Sequence, residues 1–179
     1  MYVPKMLFLT SGKGSARAEL TSFEEALRDA DIAKYNLVQV SSIIPPNCQI
    51  ISKPAGLKKL QVGQILFCVL AKISSSEPGR LMSASVGIAQ AKNRLSHGYI
   101  SEHHCFGKTK QQAGEFAEDL AAQMLATTLG VPFNLDTNYN EKKDSFKIAG
   151  LEVKTMNTTK ADTVKNGWTT VLAAAVFCA

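Results

Sequence analysis

Residues 63 to 74 read "GQILFCVLAKIS", an almost unbroken apolar run. A segment of this length and character suits a β-strand buried on both faces, so the chain needs cover above and below a sheet. The end of the chain, "WTTVLAAAVFCA", has the same character. Its 12 residues fall short of the roughly 20 that a membrane helix requires, and it reads as a final strand.

Around these two strands the order of elements can be read. "KMLFLT" (5–10) is a short strand leaving through a loop at Ser11, Gly12 and Gly14. In "TSFEEALRDADI" Ser22 and Glu25 have the form of a capping box, and Phe23, Ala26, Leu27 and Ala30 recur at helical spacing. "NLVQVSSI" reads as one strand from Asn36 onward, and "RLMSASVGIAQA" and "HGYISEHHCF" as two more. Residues 109 to 129 predict a helix whose apolar stripe is Ala113, Phe116, Ala117, Leu120, Ala121, Met124 and Leu125, stopped by Gly130 and Pro132. "FKIAGLEVKTMNTT" predicts a hairpin turning near Gly150, and the polar stretch 133–145 a surface excursion. These elements predict an α/β (α+β) protein, a layered αββα sandwich forming one domain over 1–179. Both halves run strand, helix, strands, which is compatible with a duplicated unit.

Composition narrows the function. At 179 residues and 45% hydrophobic the chain can bury a core without disulfides or metals. The net charge of +5 is spread thinly, with Lys58-Lys59 and Lys142-Lys143 the only adjacent basic pairs, and no basic stripe interleaved with aromatics points to nucleic acid. Cys48, Cys68, Cys105 and Cys178 form no CxxC pair, and the reduced cytoplasm is the expected compartment. No charged start with an apolar core marks a signal peptide, and no membrane association is expected.

The stretch with chemistry in it is "VQVSSIIPPN" (38–47). Pro45 forces Ile44 out of the helical region and Pro46 restricts Pro45, so Ser41 and Ser42 sit where a strand is bent against a stiff brake. A strained peptide bond beside a hydroxyl can react with it. Ser42 Oγ can attack the Ser41 carbonyl, turning the amide into an ester; elimination would then free Ser41 as a carboxyl terminus and leave dehydroalanine at 42. Hydrolysis would then give a pyruvoyl group and ammonia. Such a reaction needs donors for the oxyanion and a backbone held away from its relaxed geometry. A solvent-facing serine pair ending a strand is the ordinary alternative.

The surroundings favour the chemistry. "TSFEEALRDADIAKYNLVQVSSIIPPNCQIIS" (21–52), "GYISEHHCFG" (98–107), "AGEFAEDLAAQMLATTLG" (113–130) and the closing "WTTVLAAAVF" resemble the pyruvoyl-dependent arginine decarboxylases, in order and across nearly the whole chain. The resemblance implies a proenzyme that cuts itself between Ser41 and Ser42 into a β chain (1–41) and an α chain (42–179). Ser42 would become the covalent pyruvoyl cofactor, with no pyridoxal phosphate and no metal. Its ketone would form a Schiff base with L-arginine, giving agmatine and carbon dioxide.

Residue roles follow from the same resemblance. Glu102 matches the family's proton donor, and strand alternation puts it on one face with Gly98, Ile100 and His104, opposite Tyr99, Ser101 and His103. Asn36 corresponds to an asparagine that assists processing and lines the site; its amide could donate to the oxyanion at Ser41 or to the substrate carboxylate. Glu24 matches an acidic position that contacts the guanidinium, a planar pairing. Leu20, Leu27, Ile43 and Ile44 fall at or beside positions lining the aliphatic part of the pocket. A trimer of processed protomers with sites between neighbours is implied as well. Two positions depart from the pattern: Lys13 stands between Gly12 and Gly14, and Asp31 stands where glycine usually ends the first helix.

Other readings compete. His97, Glu102, His103 and His104 cluster, but adjacent histidines on a strand face opposite ways and no HExxH or cysteine pair suggests zinc. A Cys105–histidine nucleophile has no supporting context. A pyruvoyl enzyme acting on another amino acid, or an unprocessed homologue with only an assembly role, remain the alternatives.

Overall fold

The computed structural model describes residues 2–134, 138–140 and 145–178. Its elements run β1 (Met6–Ala16), α1 (Glu19–Asp29), β2 (Asn36–Gln39), β3 (Ile43–Ile44), β4 (Gln49–Ile50), α2 (Lys53–Leu57), β5 (Ile65–Ser75), β6 (Leu81–Ala91), β7 (Gly98–Phe106), α3 (Lys110–Thr128), β8 (Tyr139–Asn140), β9 (Ser145–Ile148), β10 (Leu151–Thr163) and β11 (Trp168–Cys178). They form two sheets, one ordered β2-β5-β11-β1-β4 and the other β3-β7-β6-β10-β9-β8. The first is mixed, with β2 and β4 pairing parallel at its two edges, and the second is antiparallel.

The apolar runs explain the layering. Alternate residues of β5 and β11 point to opposite faces. Val69, Ala71, Val171, Ala173 and Ala175 face the second sheet and meet Val86, Ile88 and Ile100 there. Leu66, Cys68, Leu70, Leu172, Ala174 and Val176 face outward and are covered by Phe23, Ala26, Leu27 and Ala30 of α1 and the turn after it. On the far side α3 packs its Ala121, Ala122, Leu125 and Ala126 against Ala89, Phe146, Ile148 and Val153 of the second sheet. The order helix, sheet, sheet, helix is the α+β sandwich anticipated from the sequence.

Several local expectations are corrected. β1 does not stop at its glycines but runs on to Ala16, paired along its whole length with β11. Those glycines serve close approach instead: a Cβ on Gly12 would lie 2.1 Å from the Ala26 carbonyl oxygen, and one on Gly14 2.2 Å from that of Ser22. Ser22 does not cap α1, which begins after Ala18 without a side-chain cap. It is interior and buried, donating to the Glu19 carbonyl and sharing a 2.7 Å hydrogen bond with Thr170 on β11. Phe116 leaves the buried stripe of α3 to stack on His103, with centroids 4.5 Å apart, and stays 39% exposed. Ala113, Ala117, Ala121 and Leu125 of the expected stripe are buried, Leu120 and Met124 only partly. Gly130 with φ 69° ends the helix as expected, and a Thr109–Gln112 capping box, not anticipated from the sequence, starts it. The β9–β10 hairpin turns at Ala149 and Gly150, whose φ values of 50° and 78° suit a two-residue primed turn. Most of the polar stretch 133–145 lies outside the described residues.

Candidate active site at the meeting of two sheet edges

The alternation in "NLVQVSSII" suggests one strand, but the chain changes sheets within it. β2 closes the first sheet against β5, while β3 closes the second against β7. Val40, Ser41 and Ser42 make the crossing. Three backbone hydrogen bonds fix it: Val40 N–H donates to the Cys68 carbonyl of β5 at 3.0 Å, Ile100 N–H of β7 donates to the Ser42 carbonyl at 2.7 Å, and Ile43 N–H donates to the Ser41 carbonyl at 3.1 Å. The last of these spans i to i+2 and closes a γ-turn on Ser42. The prolines act just beyond. Cys48 N–H reaches the Pro45 carbonyl at 3.1 Å, and Asn47 takes φ 60°, the pattern of a type II turn with Pro46 and Asn47 at its centre. The positive-φ residue here is therefore Asn47. Neither serine adopts that region, and hydrogen bonds hold the backbone on either side of the Ser41–Ser42 bond.

Glu102 comes to the same edge. Ile43 and Ile44 register against Tyr99 and Gly98 of β7, so one more step places Ser42 opposite Ile100, the residue whose N–H it accepts. Ile100 is fully buried between the sheets and Glu102 pairs across from the equally buried Val86. Glu102 thus faces the inter-sheet layer, at its open end. The opposite face of β7 meets α3, where Ser101 Oγ donates to the Ala117 carbonyl and His103 stacks on Phe116. Desolvation raises the Glu102 pKa above the ordinary glutamate value, with nearby His104 pulling it down. The Glu102 charge is also felt on β5, where burial and then this carboxylate push the Cys68 thiol up to about 11. His103 is held below its usual pKa by burial, then by Lys108 and His104.

Leu20, Glu24, Leu27 and Asn36 lie elsewhere in the chain. α1 covers the outer face of the first sheet, where Leu27 is partly buried in the core and Leu20 is 77% exposed. Glu24 holds Arg28 at 2.8 Å one turn on, beside a cavity of about 420 Å³ lined also by Asp31, Ala33, Lys34 and Leu57. Asn36 starts β2, its amide donating to the Gly63 carbonyl at 2.7 Å. An extended strand rises about 3.3 Å per residue, which puts Asn36 on the order of 15 Å from the serines. Ile44 is fully buried between the sheets beside Cys48, and Ile43 is 43% exposed. The two departing residues are anchored. Lys13 pairs with Asp162 at 2.9 Å, and Asp31 adopts φ 62° with its carboxylate 2.7 Å from Lys53.

The sequence reading missed the backbone donors Ile43 and Ile100, since backbone groups carry no residue signature. Among the described residues no group of three or more metal-ligating side chains comes together.

Comparison with known proteins gives the family. A family profile described as pyruvoyl-dependent arginine decarboxylase (PvlArgDC) matches residues 6–179. A "Pyruvoyl-dependent arginine decarboxylase" of Nitrosopumilus maritimus is 54% identical over 177 residues, covering 98% of this chain and 97% of that one. A "Probable pyruvoyl-dependent arginine decarboxylase" of Chloroherpeton thalassium is 51% identical over 98% of both chains. "Pyruvoyl-dependent arginine decarboxylase 2" of Methanosarcina acetivorans is 50% identical over 98% of this chain and 97% of its own.

Proposed function

The chain belongs to the pyruvoyl-dependent arginine decarboxylase family, and from that premise we propose that it cuts itself between Ser41 and Ser42 and then converts L-arginine to agmatine and carbon dioxide. The observation that carries the reading is the clamped Ser41–Ser42 bond with Glu102 on the neighbouring strand. Residue 42 fits the precursor role: it supplies the Cβ–Oγ hydroxyl that an acyl shift requires, and a carbonyl precedes it at the right distance along the chain. Cleavage consumes one water and releases one ammonia, leaving a β chain of residues 1–41 and an α chain of 42–179 that together make one domain. A pyruvoyl group at residue 42 would supply a ketone carbonyl reactive to the substrate amine and a sink for the electrons released with carbon dioxide.

The side chains around it do the rest. Glu102, with its pKa raised by partial burial, holds the proton that returns to the substrate carbon. Ile44 and Ile100, both fully buried, keep water from the reacting end. Glu24 accepts the substrate guanidinium in a planar two-bond fork, exchanging its present Arg28 partner for it. Leu20, Leu27, Ile43 and Ile44 line the aliphatic chain, and Asn36 turns its amide toward the substrate carboxylate. Glu24 and Asn36 reach Ser42 from a neighbouring copy, in a homotrimer with a site at each junction. Exposure of Leu20, Val38 and Ile43 (77%, 40% and 43%) supports that contact. Four free cysteines suit a reducing cytoplasm.

Glu24 tests the substrate. Glu24→Gln leaves cleavage intact and weakens arginine turnover, measured as carbon dioxide release. Unchanged turnover contradicts the role given to Glu24, and equal turnover of a neutral amino acid by the parent contradicts arginine as the substrate.

A further inference from the structure

β4 edges the first sheet with only two residues, while the second sheet continues beyond β10 through β9 and β8. Near its start, the inner face of β10 is therefore left without a strand across from it. Lys154 and Met156 lie there, in register with Gln90 and Ile88 of β6. Between these four residues and Ile50 of β4 is a cavity of about 360 Å³, a size within the range of small-molecule sites. It sits at the edge of the first sheet opposite β2, away from Ser42. Ile50, Ile88 and Met156 make an apolar floor, with Met156 38% exposed. Lys92, Arg94 and Lys154 stand exposed at the rim. Lys92 reaches Glu152, but among the described residues neither Arg94 nor Lys154 has an acidic partner. We infer that this cavity is a binding site for a small organic dianion, a phosphate or dicarboxylate carried on a short apolar body.

The two characters of the walls divide the ligand. The Arg94 guanidinium presents two parallel N–H donors to a pair of phosphate or carboxylate oxygens, and Lys154 adds a point charge on a flexible stem. Glu152 offsets the charge of Lys92, so these two cations are the ones left to a dianion. Ile88 and Met156 take the apolar body out of water. Free arginine, with its net positive charge, is disfavoured at such a rim, which separates this site in chemistry from the one built around Glu24. The cavity is also tied to the segment that follows the prolines. Gln90, only 7% exposed, donates its side-chain amide to the Cys48 carbonyl at 3.1 Å. The Arg94 carbonyl accepts the Asn47 N–H at 2.8 Å, and Ile50 follows two residues after Cys48. A ligand that holds Arg94 over the floor therefore steadies the turn at Asn47, and the amides of that turn report on its presence.

Calorimetric titration of the purified full-length protein with phenyl phosphate, inorganic phosphate and benzoate tests the assignment. None of the three carries an amine, so none reacts with a ketone in the protein. The titrations are run at about pH 8, well above the second phosphate pKa of about 6. Phenyl phosphate binds; inorganic phosphate binds about tenfold more weakly for want of a buried ring, and benzoate more weakly for want of the second charge. Arg94→Gln and Lys154→Gln change exposed side chains and leave the melting temperature of the free protein as it was. Each weakens phenyl phosphate by about tenfold. Binding also slows amide hydrogen exchange in peptides spanning residues 45–50, read by mass spectrometry. Absence of saturable binding by the parent, as when a neighbouring chain covers the cavity, overturns the inference. So does equal affinity for phenyl phosphate and inorganic phosphate, or unchanged affinity in both variants. Binding that leaves exchange at 45–50 unaltered places the anion elsewhere and overturns it too. Each of these results is independent of whether the chain cuts itself.

Discussion

At Glu102 two influences oppose one another. Partial burial raises its pKa and His104 lowers it, with burial the larger. A group that must be protonated to donate loses activity as pH rises through its pKa, so the decarboxylation rate falls on the alkaline side at a pH above the ordinary glutamate value of 4.5. Glu102→Gln lowers kcat by about a hundredfold or more and abolishes that limb of the pH–rate profile. A parent profile flat from pH 4 to 8 contradicts the assignment. Stability moves in a related way. The folded chain holds the Glu102 proton more tightly than the unfolded one, so this contribution is present below the unfolded pKa and is lost as pH rises through the raised value. The Tm of Glu102→Gln relative to the parent therefore climbs between pH 4 and neutrality, and a constant difference rejects the raised pKa.

Among elements, the helices sit close to the sheets because glycines let them. On β6 a Cβ at Gly87 would lie 2.1 Å from the Ala117 carbonyl oxygen of α3, the same closeness that Gly12 has with α1. Gly87→Ala and Gly12→Ala each force backbone apart and destabilise by about 1–3 kcal/mol, read as a lowered denaturation midpoint. Gly79→Ala makes a useful contrast, because it meets nothing within 4 Å, though its φ of 79° adds strain of its own. These glycines show why part of the fold was legible and part was not. Long periodic segments such as α3 and β5 announced themselves. Gly12 and Gly14 looked like a loop because glycine marks turns and close approaches alike. α2 and β4, of five and two residues, are too short for any period to show. The break inside "NLVQVSSII" was hidden for a tertiary reason: alternation continues through it, and only the positions of two sheet edges make it a crossing. Ser41, Ser42 and Glu102 were named from sequence and meet at one edge. What joins them is backbone hydrogen bonding, which no side-chain pattern records.

At the scale of the whole molecule, the proposed site divides into two halves that a single chain keeps apart. Ser42 and Glu102 occupy the edge between the sheets, while Glu24 stands on the helix that covers the outer face of one sheet. If neighbours share sites, chains carrying Ser42→Ala and chains carrying Glu24→Gln, each poorly active alone, regain arginine turnover when co-expressed and assembled together. Mixed assemblies with no more activity than the two separate preparations contradict a shared site. The central claim is nearer to the covalent structure and is tested by the intact mass of the purified, denatured protein. Two species, corresponding to residues 1–41 and to 42–179 with a ketone reactive to hydroxylamine at its start, are expected, and Ser42→Ala gives neither. A single species at the mass of the full chain, unreactive to hydroxylamine, contradicts the account.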